Sequence, residues 1–432
     1  MQKYVVFHKF NAARFFYPFL FLWLLNLGFA DQNSTRKGWD LLILRELVLG
    51  NSPDIKSHIL EVEIAKENLD VLRTGYWPSI TARTTFNDYA KISNFETYSE
   101  PDPYETYGYS LDARWTLYNG FKTRRQLTTG RKELSLKEYK LALREQEILK
   151  DFMTNFFDAL KAQTYLEFLP EIQEIANACH EMYERQFQTG VIDTLIINES
   201  ARNLEGIRTQ ILNNHQSFKL AKAKMAESMN CEISFWNKYE TFIEPPDIYL
   251  DLNESIQIGF SGMIGSLEVE IAQSKYDEIK SERAPVLEFT SSAGHRDRGG
   301  FSTEENSREL TVGLSLTFPI SDFFVTARKL KKSQKEIYRM EALKDLKIQS
   351  FRNLLVSQKL RVEHANESLD LEKSLYTLQK KRYDDLNKIT KKGVQMKSAL
   401  LTEEKQFFRK KLDLRIAQIE LLKEKYILDT IK

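Results

Sequence analysis

Leu60-Glu61-Val62-Glu63-Ile64-Ala65 is written a second time, letter for letter, as Leu267-Glu268-Val269-Glu270-Ile271-Ala272, an offset of 207 residues. At the same offset Asp40 meets Asp247, Asp70 meets Asp277 and Pro78 meets Pro285. Past the proline the offset shrinks to 203, where Gly190-Val191 meets Gly393-Val394. Six identical residues alone could be chance. Several matches in order, with one four-residue slip, describe two copies of one unit of roughly 200 residues. The copies occupy residues 31–229 and 251–432, with a linker or equatorial region at 230–250. In each, a helical stretch ends at the proline, two strands follow, a long helical stretch runs to the glycine, and a shorter one closes the unit.

The strands occupy about residues 79–118 and 286–320. Tyr107, Tyr109, Leu111, Ala113, Trp115 and Leu117 alternate with Gly108, Ser110, Asp112, Arg114 and Thr116. In the second copy Leu310, Val312, Leu314, Leu316 and Phe318 alternate with Thr311, Gly313, Ser315 and Thr317. Period two places each set on its own face of a sheet. The partner strands, near Ser79–Tyr89 and Val286–Gly294, alternate less strictly. Alternation alone fits a half-buried soluble sheet as well as a membrane sheet. A strand of about 9–11 residues crosses a tilted bilayer, and aromatic residues mark its borders. On the membrane reading Tyr107, Tyr109, Leu111, Trp115, Val312, Leu314 and Leu316 face lipid. About eight strands are needed to enclose even packed side chains, so four cannot close a barrel. Open edges in lipid cost several kcal/mol per unpaired group, so the membrane reading demands several copies.

The helices are long. Phe121–Gln188 is a 68-residue stretch interrupted only at Pro170, with apolar residues at heptad-like spacing (Leu134, Leu141, Ile148, Phe152, Phe156, Leu160). At 1.5 Å per residue it spans roughly 100 Å. Phe323–Lys391 is its counterpart. The return legs come in pieces: Val191–Met229 with Asp251–Arg283, and the stretch after Gly393 with Asp40–Tyr76. Four legs of similar length hung from four strands read as a coiled-coil assembly.

The first thirty residues stand apart. Lys3, Lys9 and Arg14 precede the apolar run Phe15–Leu25, and Gly28-Phe29-Ala30 supplies small residues at the cleavage positions. That is a secretory signal peptide, 1–30, cleaved after Ala30; about 20 apolar residues would be needed for a span. No later stretch is long and apolar enough to cross, so any crossing falls to strands. The formal net charge of +1 provides no basic surface for nucleic acid. Glycine (17) and proline (10) are both scarce, which favours long elements.

The ordered motifs resemble the TolC-like outer-membrane efflux family over essentially the whole mature chain. The helix-to-strand junction is similar to Arg73-Thr74-Gly75-Tyr76-Trp77-Pro78-Ser79 and Arg283-Ala284-Pro285. The strand-to-helix junction resembles Leu117-Tyr118-Asn119-Gly120 and Phe318-Pro319-Ile320-Ser321-Asp322. The helix-tip turn resembles Arg185-Gln186-Phe187-Gln188-Thr189-Gly190-Val191 and Lys391-Lys392-Gly393-Val394. The resemblance implies a mainly α chain with a transmembrane β-barrel: a homotrimer with twelve strands in the bacterial outer membrane and a helical tunnel in the periplasm. It implies outer-membrane lipid, a periplasmic adaptor and an inner-membrane pump (RND, ABC or similar) as partners. The adaptor contacts fall at Arg185, Gly190, Val191, Gly393 and Val394, the same glycines that a plain interhelical turn would use. Where relatives carry two aperture aspartates, this chain has Ala399 and Thr402. Glu403 and Glu404 come next, as aperture-lining residues or as interhelical charges.

The function implied is a passive outer-membrane duct of a tripartite export system. Type I protein secretion and a pore-free periplasmic coiled coil are the alternatives. No phosphate loop or nucleophile motif anchors an enzyme, and neither a cofactor nor a metal is expected. Cys179 and Cys231 differ by about 45 Å in height on the helical legs, far beyond the roughly 7 Å that a disulfide spans.

Overall fold

The structure is a computed structural model, and it describes residues 38–39, 41–89, 104–232, 241–242, 244–248, 259–298, 307–320, 322–391 and 397–431. The signal peptide lies outside the described residues. So do Gly393 and Val394.

The chain opens with β1 (Gly38–Trp39), α1 (Leu41–Asn51) and α2 (Pro53–Thr74). Then come β2 (Ser79–Tyr89), β3 (Tyr104–Tyr118), α3 (Lys122–Gln188) and α4 (Thr194–Ser228). The second copy repeats that order after the short β4 (Thr241–Phe242). It comprises α5 (Phe260–Ser281), β5 (Val286–Arg298), β6 (Ser307–Thr317), α6 (Asp322–Lys391) and α7 (Lys397–Ile431). The helix–strand–strand–helix chain is thus internally duplicated. Register makes the duplication quantitative. Ser79 pairs with Arg114, and Val286 pairs with Thr317. The first members differ by 207 and the second by 203, the two offsets read from the sequence.

The chain divides into two compact units, and each draws on both copies. One holds residues 58–143 and 257–352. It contains the four-stranded sheet, order β2-β3-β5-β6, antiparallel throughout. Its helices follow the same order. Lys137 of α3 pairs with Glu61 of α2 at 2.9 Å, and Lys132 of α3 with Glu270 of α5 at 3.3 Å. Lys347 of α6 pairs with Glu268 of α5 at 2.7 Å.

The other unit holds residues 1–57, 144–256 and 353–432. Its core includes Leu169, Ile172 and Ala176 of α3, Leu204 and Ile207 of α4, and Leu412 of α7. That packing corrects the reading of Pro170 as an interruption: α3 runs through it for 67 residues. Proline removes one helical hydrogen bond, a cost of about 3 kcal/mol in a helix interior. Buried Leu169 and Ile172 flank exposed Pro170 and clamp the helix on either side. A second aromatic cluster joins Phe156, Phe157, Phe218 and Tyr426 to Phe242 of β4. β4 pairs in parallel with β1, Gly38 opposite Thr241. Both cysteines are free thiols, and burial pushes both upward in pKa.

Candidate functional site

Two regions carry the residues singled out from the sequence: the sheet and the helix tip. In the sheet, register sorts every strand into the same two faces. Tyr109 lies opposite Thr84 on one side and His295 on the other. Leu111 lies between Ala82 and Ala293, and Phe289 lies between Trp115 and Leu314. One face therefore carries Ile80, Phe86, Tyr107, Tyr109, Leu111, Trp115, Phe289, Leu310, Val312, Leu314 and Leu316. Tyr107 packs on Phe86 with ring centroids 5.0 Å apart, and Tyr109 on His295 at 5.2 Å. The opposite face carries Thr81, Arg83, Ser110, Asp112, Arg114, Ser292 and Ser315. There Ser292 donates to Asp112 at 2.6 Å and Ser110 donates to it at 3.2 Å.

All seven strand residues named from the sequence share the apolar face, and each is exposed; Leu314 keeps 68% of its surface. Ile80, Phe86, Phe289 and Leu310 belong with them. β2 and β5 looked irregular because Thr84, Ser291 and His295 occupy apolar-face steps of the same alternation. Leu117 is a correction. A bulge between Thr116 and Tyr118 brings Tyr118 opposite Leu287, so Leu117 drops out of the ladder. Phe318 also lies outside the sheet, since β6 ends at Thr317 ahead of Pro319.

Aromatic residues crowd the helix end of the sheet. Tyr76, Trp77, Tyr118, Phe121, Phe318, Phe323 and Phe324 are all exposed. Trp115 Nε1 donates to the Tyr76 carbonyl at 2.9 Å. The chain turns from β3 into α3 on two successive left-handed residues, Gly120 (φ 66°) and Phe121 (φ 63°). Asn119 closes the turn: its carbonyl accepts from the Lys122 amide and its Nδ2 donates to Thr123 Oγ1.

At the tip, α3 ends in a Schellman turn. The Val191 amide donates to the Gln186 carbonyl at 2.8 Å, and the Gly190 amide to Phe187 at 2.9 Å. Gly190 has φ 73°, which glycine adopts without cost. Asp193 then caps α4 by accepting from the Thr194 amide. Arg185 is exposed and faces Glu181 at 4.0 Å. Phe187, Val191, Leu195 and Ile196, close in sequence around the turn, are all exposed, and of these the sequence reading named only Val191 as a contact. Ala399 and Thr402 are half-buried on α7, and Thr402 shares a hydrogen bond with Tyr183 at 3.2 Å. Glu403 is 6% exposed. Its carboxylate pairs with Arg382 at 2.7 Å and accepts from Gln379 at 2.7 Å. Of the two roles open to it, the interhelical one is the role whose geometry this protomer contains. Among the described residues no helix is long and apolar enough to cross a membrane, and no His, Cys, Asp and Glu cluster could hold a metal.

A family model described as outer membrane efflux protein matches residues 44–230. Among solved structures, the chain is similar to the outer membrane protein VceC of Vibrio cholerae. The identity is 12% and the TM-score 0.77, over 90% of this chain and 95% of that one. It is similar to the CmeC outer membrane channel of Campylobacter jejuni, with 15% identity and a TM-score of 0.72 over 90% and 84%. It is also similar to the MtrE outer membrane channel of Neisseria gonorrhoeae, with 14% identity and a TM-score of 0.67 over 90% and 88%. No curated protein sequence matches it. The fold is the one these outer-membrane proteins share. Residues 44–230 are the part of the chain that the outer membrane efflux protein family model matches.

Proposed function

We propose that the protein is the outer-membrane channel of a tripartite export system: a passive duct from the periplasm to the exterior. The observation that carries this reading is the sheet. One face is predominantly apolar and largely exposed, and the two outer strands, β2 and β6, each keep an open edge. In water that face would far exceed the few hundred Å² of apolar patch that soluble monomers expose. In lipid the face is satisfied, and closing the edges against other copies pairs the remaining backbone groups. Three copies give twelve strands. Asp112, Arg114 and Arg83 would then line a watered lumen. The aromatic residues around Trp77 and Phe318 would sit at the bilayer border, where such rings partition.

The exposed Phe187, Val191 and Leu195 at the tip, with Arg185, supply a surface for a periplasmic adaptor. The family resemblance adds Gly393 and Val394, which lie outside the described residues. The adaptor would connect the duct to an inner-membrane pump. The test is the mass of the detergent-extracted protein by light scattering, followed by conductance in a planar bilayer. A trimer with discrete conductance steps is expected. A stable monomer, or a rod soluble without detergent, would remove the channel.

A further inference from the structure

The duplication lets one junction inside the chain serve as a template for a junction between copies. Inside the chain, β3 and α3 of the first repeat lie against β5 and α5 of the second. Lys132 of α3 pairs with Glu270 at 3.3 Å and donates to Ser274 Oγ at 3.1 Å. Arg125 donates to the Asp277 carbonyl. The elements at the two outer edges are their repeat equivalents, β6 with α6 and β2 with α2. The 203 offset carries Lys132 to Lys335 and Arg125 to Arg328, and the 207 offset carries Glu270, Ser274 and Asp277 back to Glu63, Glu67 and Asp70. The chemistry is kept at each place: base to base, acid to acid, and a hydroxyl replaced by a second acid. The same offsets carry the Leu111–Ala293 strand pair to Leu314 and Phe86. Both lie on the apolar face, so the transferred register preserves the alternation of the sheet.

The exposed helix faces agree. On α2, Leu60, Ile64, Glu67 and Val71 are exposed along the side opposite buried Val62 and Leu69, with Glu63 at the margin. On α6, Phe324, Arg328, Lys331, Lys335, Tyr338 and Leu346 are exposed along the side opposite buried Thr326 and Phe351. One stripe mixes apolar and acidic residues, the other apolar and basic ones. Contact between two such unlike stripes is heterologous, the kind that forms a ring when its rotation closes.

We propose the register of the seam that a ring of copies forms between β6 with α6 of one and β2 with α2 of the next: it repeats the junction inside the chain. Lys335 then lies between Glu63 and Glu67 of the next copy, Arg328 at the Asp70 backbone carbonyl, and Leu314 of β6 opposite Phe86 of the neighbouring β2. This rests on the channel reading for the existence of a ring and adds its register and its charge pairs.

The test uses the full chain in detergent, carrying Leu314→Cys together with Phe86→Cys. Directly opposed residues on antiparallel strands have Cα atoms about 4.5–5.5 Å apart, within disulfide reach. Mild oxidation is expected to shift the monomer band to covalent dimers and trimers, while each single variant and the Ser315→Cys, Phe86→Cys pair stay monomeric on a non-reducing gel. A trimer by light scattering that fails to cross-link, or cross-links equally through Ser315→Cys, overturns the register and leaves the channel reading standing. A chain that is monomeric throughout overturns both. For the helices, Glu63→Lys with Glu67→Lys should lower the temperature at which trimers dissociate, and adding Lys335→Glu should restore it. Loss caused by Lys335→Glu alone, with no effect of the acidic pair, would instead assign the basic stripe to lipid headgroups and overturn the pairing.

Discussion

Gly120 and Gly190 both hold left-handed backbone, with φ 66° and 73°, but their surroundings differ. A Cβ on Gly120 would overlap the Ala284 methyl and press on the Ser281 carbonyl at 2.9 Å; around Gly190 nothing lies within 4 Å. Gly120→Ala should therefore destabilise the sheet-to-helix turn by roughly 3 kcal/mol, adding overpacking to the backbone penalty. Gly190→Ala should cost only the backbone penalty, about 1 kcal/mol. Chemical denaturation followed by far-UV circular dichroism would rank the two, and equal losses would contradict the packing at Gly120. The sequence identified both glycines as turn residues, because their motifs recur in order. It could not say which was crowded, since crowding comes from Ser281 and Ala284, more than 150 residues away. Glu403 was ambiguous for the same reason. Its partners Arg382 and Gln379 sit on a different helix, and nothing local to Glu403 points to them.

At the scale of elements, alternation was legible wherever one face of a strand was fully apolar, as in β6, and faint where small polar residues interrupted it, as in β5. Apart from the stretch read from Asp251, whose residues 251–258 lie outside the described residues and whose helix spans Phe260–Ser281, the helices were legible to within a few residues at each end, because long apolar periodicity and scarce glycine leave few places to stop. Three features were not. Helix α3 passes through Pro170 because the contacts of Leu169 and Ile172 outweigh one lost hydrogen bond. The boundary between α1 and α2 at Ser52-Pro53 barely breaks the ladder, since Ser52 still donates to Val48 and Lys56 to Ser52. Pro53 occupies a first-turn position, where its missing donor costs nothing. The parallel β1–β4 pair joins two-residue strands too short to leave a periodic signal. The faces of β6 make the sharpest prediction for an element. Leu314→Arg places a guanidinium on the apolar face and should impair membrane assembly by about 2–4 kcal/mol at mid-bilayer depth. Ser315→Arg, on the polar face, should assemble nearly as well as the natural chain. The heat-stable oligomer band recovered from membranes would report both, and equal loss would mean that the faces are reversed.

For the whole molecule, the duplicated plan sets what holds the helices of the sheet-bearing unit together. Neighbouring helices there are stitched by ion pairs: Lys137–Glu61, Lys132–Glu270, Lys275–Glu133, Lys347–Glu268 and Lys329–Glu282. Each is partly exposed, and one such pair contributes about 0–1 kcal/mol. Two of the acids, Glu61 and Glu282, share a dependence on pH. The hydrogen bond from Lys137 holds the Glu61 carboxyl below its ordinary value. The hydrogen bond from Lys329, with Lys122 nearby, does the same for Glu282 against the opposing effect of partial burial. A carboxyl depressed in the folded state binds protons less readily than in the unfolded chain. The stability that it confers is therefore complete above the ordinary glutamate value of 4.5 and is lost as pH falls through the lower folded value. Melting followed by circular dichroism should accordingly fall between pH 7 and pH 3.5. Glu282→Gln should lower the melting temperature at pH 7 by a few degrees at most, and the gap from the natural chain should close at the acid end. If the gap instead widened on acidification, Glu282 would be stabilising through its protonated form, and Lys329 and Lys122 would not be its partners.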